Sequence, residues 1–150
     1  MDVRHATLDD LDDLLRLQLQ LRDHHRRLAA DSPRYGVQAD RWRRLLRATL
    51  ESDDEAILVA TNNDDVRGFV TLVFAPKPWG VSCEMDTLVV DEASRSEGVG
   101  EALVAAAEIL AKERGAGGMR ANVLTANDRG RAFYERIGYE PIAVRYSKDF

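Results

Sequence analysis

The order of patterned segments predicts an α/β fold, a mixed sheet with helices on both faces. Three observations carry this reading. The segments run strand, two helices, three strands able to pair antiparallel, then helix, strand, helix, strand. A glycine turn, Arg95-Ser96-Glu97-Gly98-Val99-Gly100, joins an apolar strand pattern to an amphipathic helix pattern. The length of 150 residues, with 45% hydrophobic and 31% charged content, suits one globular domain spanning 1–150.

Met1 to Ala6 reads as a short strand. Thr7 is a good N-cap, with Asp10 three positions later, where acids favour a helix start. Leu8 to about Leu28 is then helical, with Leu11, Leu14, Leu15, Leu21 and Leu28 inward. The alternation Leu15, Leu17, Leu19, Leu21 also fits a strand, but the length of the segment and its lack of turn residues decide for helix. Asp31 to Gly36 is a loop. Asp40 to about Glu51 is a second helix, with Trp42, Leu45, Leu46 and Leu50 inward. Ala56–Thr61 and Val66–Phe74 flank Asn62-Asn63-Asp64-Asp65, a hairpin signal without glycine. Ala75 to Gly80 is expected to be a mobile or substrate-facing loop, and Val81 to Val90 the next strand. Leu103, Val104, Ala107 and Leu110 give the third helix its apolar face, and Gly115 ends it. Gly118–Leu124 is a strand, Asn127 caps a fourth helix that Gly138 ends, and Ile142–Lys148 is a final strand.

Composition narrows the function. The single cysteine, Cys83, permits no intrachain disulfide, and a cytoplasmic location fits. No apolar run reaches membrane-spanning length, and Met1-Asp2-Val3-Arg4 opens no signal pattern. The net charge of −5 speaks against a nucleic-acid partner and for a cationic one. Three histidines and one cysteine lack metal-ligand spacing, so no metal site is expected.

The glycine turn carries the chemistry. A strand running through it into a helix leaves backbone N–H groups unpaired at a helix N-terminus, where they favour a phosphate. Glycines allow close backbone approach. The spacing R-x-x-G-x-G is neither the dinucleotide fingerprint nor a Walker loop.

At these residues the chain resembles the GNAT superfamily of acetyl-CoA-dependent N-acetyltransferases, whose pyrophosphate loop reads Arg/Gln-x-x-Gly-x-Gly/Ala between a strand and a helix. Asn127-Asp128-Arg129-Gly130-Arg131-Ala132-Phe133-Tyr134-Glu135-Arg136-Ile137-Gly138-Tyr139 is similar to the family's second motif. Arg4 to Asp10 looks like its first strand entering its first helix. The resemblance covers nearly the whole chain, is specific from about Glu84 to Tyr139, and is weakest from about Asp23 to Asp54. It implies a GNAT fold with a mixed central sheet of six to seven strands flanked by about four helices. It also implies acetyl-CoA as cosubstrate.

Amine acetylation needs a base for the amine, a donor for the carbonyl oxygen and a proton for the departing thiolate. The resemblance gives Glu84 the base role, eleven residues before Arg95. Asp86, of the same strand parity, is the alternative, and a solvent-facing carboxylate is the plain reading of either. Tyr134 is the implied acid, with core packing beside Phe133 as its plain reading. In the family the strand end at Leu88, Val89 and Val90 is splayed and binds the pantetheine arm through its backbone. Arg95, Ser96, Glu97, Gly98, Val99 and Gly100 would hold the pyrophosphate. Glu97 departs from the basic residue of many relatives. Asn127 would meet the pantetheine, with helix capping as the other reading. His24 and His25 read as a solvated helix face or an acceptor border, Trp42 and Trp79 as core or acceptor wall, and Cys83 as a buried small residue.

These expectations add up to an N-acetyltransferase moving an acetyl group from acetyl-CoA to a primary amine by direct attack in a ternary complex. A small cationic amine is the first acceptor class. A protein N-terminus or lysine, or an inactive acyl-CoA-binding regulator, are the alternatives. GNAT relatives are often dimers, which leaves a homodimer open.

Overall fold

The computed structural model describes residues 1–29 and 36–150. Strand β1 (Asp2–His5) leads through a 3-10 turn (Leu8–Asp10) into helix α1 (Leu11–Leu28), and α2 (Ala39–Glu51) follows. Strands β2 (Glu55–Asn62), β3 (Asp65–Lys77) and β4 (Gly80–Val90) form a meander. A second 3-10 turn (Glu92–Ser94) precedes α3 (Val99–Glu113), β5 (Arg120–Ala121) and α4 (Asp128–Arg136). The sheet order is β1-β2-β3-β4-β5. All neighbours pair antiparallel except β4 and β5, which are parallel. The mixed α/β class is therefore as the sequence predicts. The loop expected at Asp31–Gly36 lies, apart from Gly36, outside the described residues.

Helices cover both faces because the buried strand residues alternate. Leu58, Val70, Leu72, Cys83 and Met85 pack against Leu103, Val104, Ala107 and Ala111 of α3. Ile57, Val59, Phe69 and Val89 pack against Leu11, Leu14 and Leu17 of α1 and Leu46 of α2. Leu17 is fully buried, while the expected Leu15 and Leu21 sit at the margin. Leu45 turns outward and is 45% exposed.

Four expectations need correction. Among the described residues the sheet has five strands rather than six to seven. Ile142–Lys148 forms no strand, and Ile142, Val144 and Tyr146 are exposed. Alternation supplies a face, but a strand also needs a neighbouring edge for its N–H and C=O groups, and this segment meets none. Gly118–Leu124 shortens to the two residues of β5. The expected loop at Ala75–Gly80 is a tight hairpin: the ladder continues to Lys77 opposite Gly80, and Trp79 at its tip is exposed. The β2–β3 turn forms without glycine because Asn63 and Asp64 both take positive φ, 51° and 67°. These residue types tolerate the primed hairpin turn.

The entry to α1 is fixed by Asp10 rather than by Thr7 alone. The Thr7 N–H donates to Asp10 Oδ2 at 2.8 Å, and the Arg4 guanidinium donates to both oxygens at 2.8 and 2.9 Å. The Arg4 contact, with the Thr7 N–H, outweighs burial and holds the Asp10 carboxyl below its ordinary range.

Candidate functional site

The site is built around a place where two strands part. β4 and β5 pair only at Glu84–Arg120 and Met85–Ala121. Beyond Met85, no described residue pairs with β4 on that side, so its backbone from Asp86 to Val90 presents an open edge. The β3–β4 register skips between Thr71 and Leu72, which leaves Asp86 without a partner. This bulge reverses the alternation. Cys83 and Met85 face α3 before it. After it, Leu88 and Val90 pack on that side, and Val89 turns to the α1–α2 face. Glu84 and Asp86 are both exposed. Their shared parity, expected to aim them at one cavity, is interrupted by the bulge at Asp86.

The glycine turn lies at the end of β4. Arg95, Ser96, Glu97 and Gly98 are exposed, while the Val99 side chain is in the core. Val99 therefore offers a ligand only its N–H. Gly98 is the α3 N-cap at φ 78°, ψ 10°, and no side chain caps the helix. The first intrahelical bond there is from the Ala102 N–H to the Gly98 carbonyl at 3.1 Å, so the N–H groups of Val99, Gly100 and Glu101 precede the ladder. Ser96 also takes a positive φ, 68°.

The two glycines serve different ends. A Cβ on Gly98 would meet nothing within 4 Å, so glycine is there for its φ. A Cβ on Gly100 would lie 3.2 Å from the Phe133 ring and 3.7 Å from Val90. Gly100 therefore lets α4 pack onto the start of α3, beside the open strand end.

Helix α1 braces this turn from the other face. Arg16 reaches Asp91 Oδ2 at 3.0 Å, and the Gln20 amide donates to Asp91 Oδ1 at 3.3 Å. Gln20 also accepts from the Glu92 N–H at 3.3 Å. Asp91 caps the 3-10 turn through the Ala93 N–H. Burial alone would raise the Asp91 carboxyl, but the bonds from Arg16, Gln20 and Ala93 outweigh it and hold it below the ordinary range. Sequence reasoning missed this brace. Asp91 just after a strand pattern is a turn signal, but its α1 partners lie more than seventy residues away.

Helix α4 completes the site. The Asn127 side chain accepts from the Gly130 N–H at 3.0 Å, which is the capping reading of this residue. A Cβ on Gly130, also missed, would lie 2.6 Å from Asn127 Nδ2 and would displace the capping side chain. Arg136 ties α4 to Glu101 of α3 at 2.9 Å. Tyr134 packs against the α3-side core, with its ring 5.2 Å from Phe133 and 5.6 Å from Tyr139. The Tyr139 hydroxyl donates to Glu108 at 2.9 Å. Burial pushes the Tyr134 hydroxyl up to about 12, so it stays protonated at neutral pH. Thus Val90 and the Phe133 ring both crowd the space beside Gly100, with Tyr134 next in the chain. Glu84 lies farther down β4, beside β5.

The other candidates settle as follows. Cys83 is fully buried, and burial pushes its thiol up to about 11, the state of an inert structural cysteine. Trp42 is half-buried and Trp79 exposed. His24 and His25 are half-buried, not a fully solvated face. Among the described residues, no group of His, Cys, Asp or Glu is placed to hold a metal ion, and no helix is long and apolar enough to cross a membrane.

Comparison with known proteins accords with this geometry. The acetyltransferase (GNAT) family matches residues 17–139. An uncharacterized N-acetyltransferase, YhfO, from Bacillus subtilis (strain 168) is 30% identical over 144 residues, covering 93% of this chain and 90% of that protein. The structure of a ribosomal-protein-alanine N-acetyltransferase from Brucella melitensis biovar Abortus 2308 superposes with a TM-score of 0.76 at 22% identity, covering 100% of both chains. An aminoglycoside 6'-N-acetyltransferase from Acinetobacter haemolyticus gives 0.75 at 18%, covering 100% of this chain and 99% of that one. At these identities the two structures attest the fold. With a family match over most of its length, the chain belongs to the GNAT family and is an acetyltransferase enzyme.

Proposed function

We propose that residues 1–150 act as one N-acetyltransferase domain that takes acetyl-CoA and a primary amine together and joins them by direct transfer. The observation that carries this reading is the uncapped α3 N-terminus at the end of the open β4 edge. The donors of Val99, Gly100 and Glu101 suit a pyrophosphate, with Ser96 and Gly98 curving the chain around it and Arg95 adding charge. Glu97 is exposed and free to turn to solvent. The side of the Leu88, Val89 and Val90 backbone that faces away from β3 suits the amide groups of a pantetheine arm. Asn127 lines the same side after spending its carbonyl oxygen on the Gly130 cap.

Acetyl-CoA supplies the acetyl group as a thioester. Glu84 takes the proton from the attacking amine, directly or through a water, with Asp86 as the alternative base. A backbone N–H of the open β4 edge stabilises the carbonyl oxygen as it gains charge. Tyr134, which burial keeps protonated at neutral pH, gives its proton to the sulfur as the carbon–sulfur bond breaks. The acceptor is a small cationic amine: Glu84 and Asp86 present exposed carboxylates beside the open edge, and the chain carries a net charge of −5. The reaction fits a cytoplasmic supply of acetyl-CoA. The test is CoA-thiol release from acetyl-CoA with polyamines, aminoglycosides, and peptides bearing a free N-terminus or lysine. Release with the small amines supports the reading. Release with peptides alone moves the acceptor to proteins, and no release with any amine refutes it.

A further inference from the structure

The arc Arg95–Gly98 hangs between two fixed ends. Its four residues are exposed, while Ser94 before them is 1% exposed and Val99 after them 2%. Val99 is held by the α3-side core. Ser94 is held through Asp91: the Ser94 N–H donates to the Asp91 carbonyl at 2.8 Å, and the Asp91 N–H donates to the Arg67 carbonyl at 2.8 Å. Helix α1 supplies the rest of this anchor. Arg16 donates to Asp91 Oδ2 at 3.0 Å and to the Val66 carbonyl at 3.3 Å. Gln20 makes two bonds with one amide. Its Nε2 donates to Asp91 Oδ1 and its Oε1 accepts from the Glu92 N–H, each at 3.3 Å. The amide has both the donor and the acceptor this clamp needs, and an ionised carboxylate has only the acceptor.

We infer that Arg16 and Gln20 are positioning residues for the cosubstrate: through Asp91 they hold the Arg95–Gly98 arc in the shape that keeps the α3 N–H groups open to CoA. This rests on the reading of the α3 N-terminus as the CoA site. It gives α1 a part in cofactor affinity that needs no contact with the cofactor.

The physical reason is preorganisation. A short arc between two fixed ends has few conformations, so a ligand finds its donors already in place. Releasing the Asp91 end returns freedom to the arc, in which Ser96 and Gly98 both sit at positive φ. Binding then has to order those residues again. The β3–β4 ladder and the packing of Val99 do not run through the brace, so its loss acts on the arc while the sheet and α3 stay in place.

The test is calorimetric titration of the full chain with CoA, well below the melting temperature. Wild type is compared with Gln20→Glu, Arg16→Met, Arg16→Lys and Arg43→Met. Gln20→Glu is nearly isosteric, so packing is kept while a carboxylate is set against Asp91. Gln20→Glu and Arg16→Met are each expected to weaken CoA roughly tenfold, the scale of one lost hydrogen bond to a charged group. Arg16→Lys keeps a cation beside Asp91 and should restore most of the affinity. Arg43→Met removes the ion pair between α2 and Asp12 of α1. It loosens the same helix away from the brace and should bind CoA as wild type does. Wild-type affinity in both Gln20→Glu and Arg16→Met overturns the inference, while weakening by Gly98→Ala would still keep the α3 site. Equal weakening by Arg43→Met, or no rescue by Arg16→Lys, also overturns it, because the effect is then general loosening of α1. Failure of wild type to bind CoA overturns the inference and the underlying reading together. The Arg16 side chain is 42% exposed, so its two substitutions carry the test if Gln20→Glu does not fold.

Discussion

Replacing Gly98 with alanine separates backbone strain from ligand exclusion. At φ 78° and ψ 10° a Cβ costs about 1–2 kcal/mol of left-handed strain. No clash adds to this, because nothing lies within 4 Å. In a chain of this length the melting temperature should fall by roughly 2–8 °C. The same methyl group projects into the open space before the uncapped α3 N-terminus, where a phosphate would sit. Disturbing one contact to a charged group costs about 1.5–3 kcal/mol, so CoA affinity should drop roughly ten- to a hundredfold. Gly100→Ala is the control. Its Cβ would press on Phe133 at 3.2 Å, an overpacking cost of about 1–3 kcal/mol, offset by about 1 kcal/mol of helix propensity. It should disturb α4 and turnover more than CoA binding. Thermal melts and calorimetric CoA titrations on both variants decide. A folded Gly98→Ala protein that binds CoA as wild type does would falsify the assignment of phosphate to this helix end.

Three further outcomes are expected. Tyr134→Phe should keep the fold and CoA affinity but lower turnover on the order of a hundredfold. Since burial holds the hydroxyl at about 12, its ionisation should leave the wild-type rate flat on the alkaline side until near that pH. Unchanged single-turnover rates in the variant would make the tyrosine structural. Glu84→Gln should slow turnover most for strongly basic amines and least for amines of low pKa. If Asp86→Asn shows that graded loss and Glu84→Gln is silent, Asp86 is the base. Asp10→Asn should destabilise the fold by about 1.5–3 kcal/mol through lost charged hydrogen bonds. The folded Asp10 pKa lies below its unfolded value. The deficit should therefore be full above the unfolded carboxylate range, near pH 4, and shrink as pH falls through the folded pKa. A deficit that does not change between pH 7 and pH 2 in denaturant titrations counts against the Arg4–Asp10 anchor.

Much of the site was legible because its parts are local. Gly98 at a helix start and Asn127 three residues before the N–H it caps are short-range features, and their spacing carries their meaning. The parting of β4 and β5 was not legible. It depends on where a parallel neighbour stops pairing, and parallel pairing joins Glu84 to Arg120 across the whole of α3. The bulge at Asp86 was hidden for a related reason: parity along one strand assumes an unbroken register with the next.

The sequence alone determined the order of elements as far as α4, the two apolar sheet faces, the uncapped helix after Gly98 and the capped one after Asn127. Periodicity and capping act over a few residues, so they survive without knowledge of the fold. Tertiary structure decided what distant segments do to each other. It set Gly100 against the Phe133 ring and fastened α1 to Asp91. It also left Ile142–Lys148 unpaired despite its alternation, because a strand exists only where another chain segment accepts its hydrogen bonds.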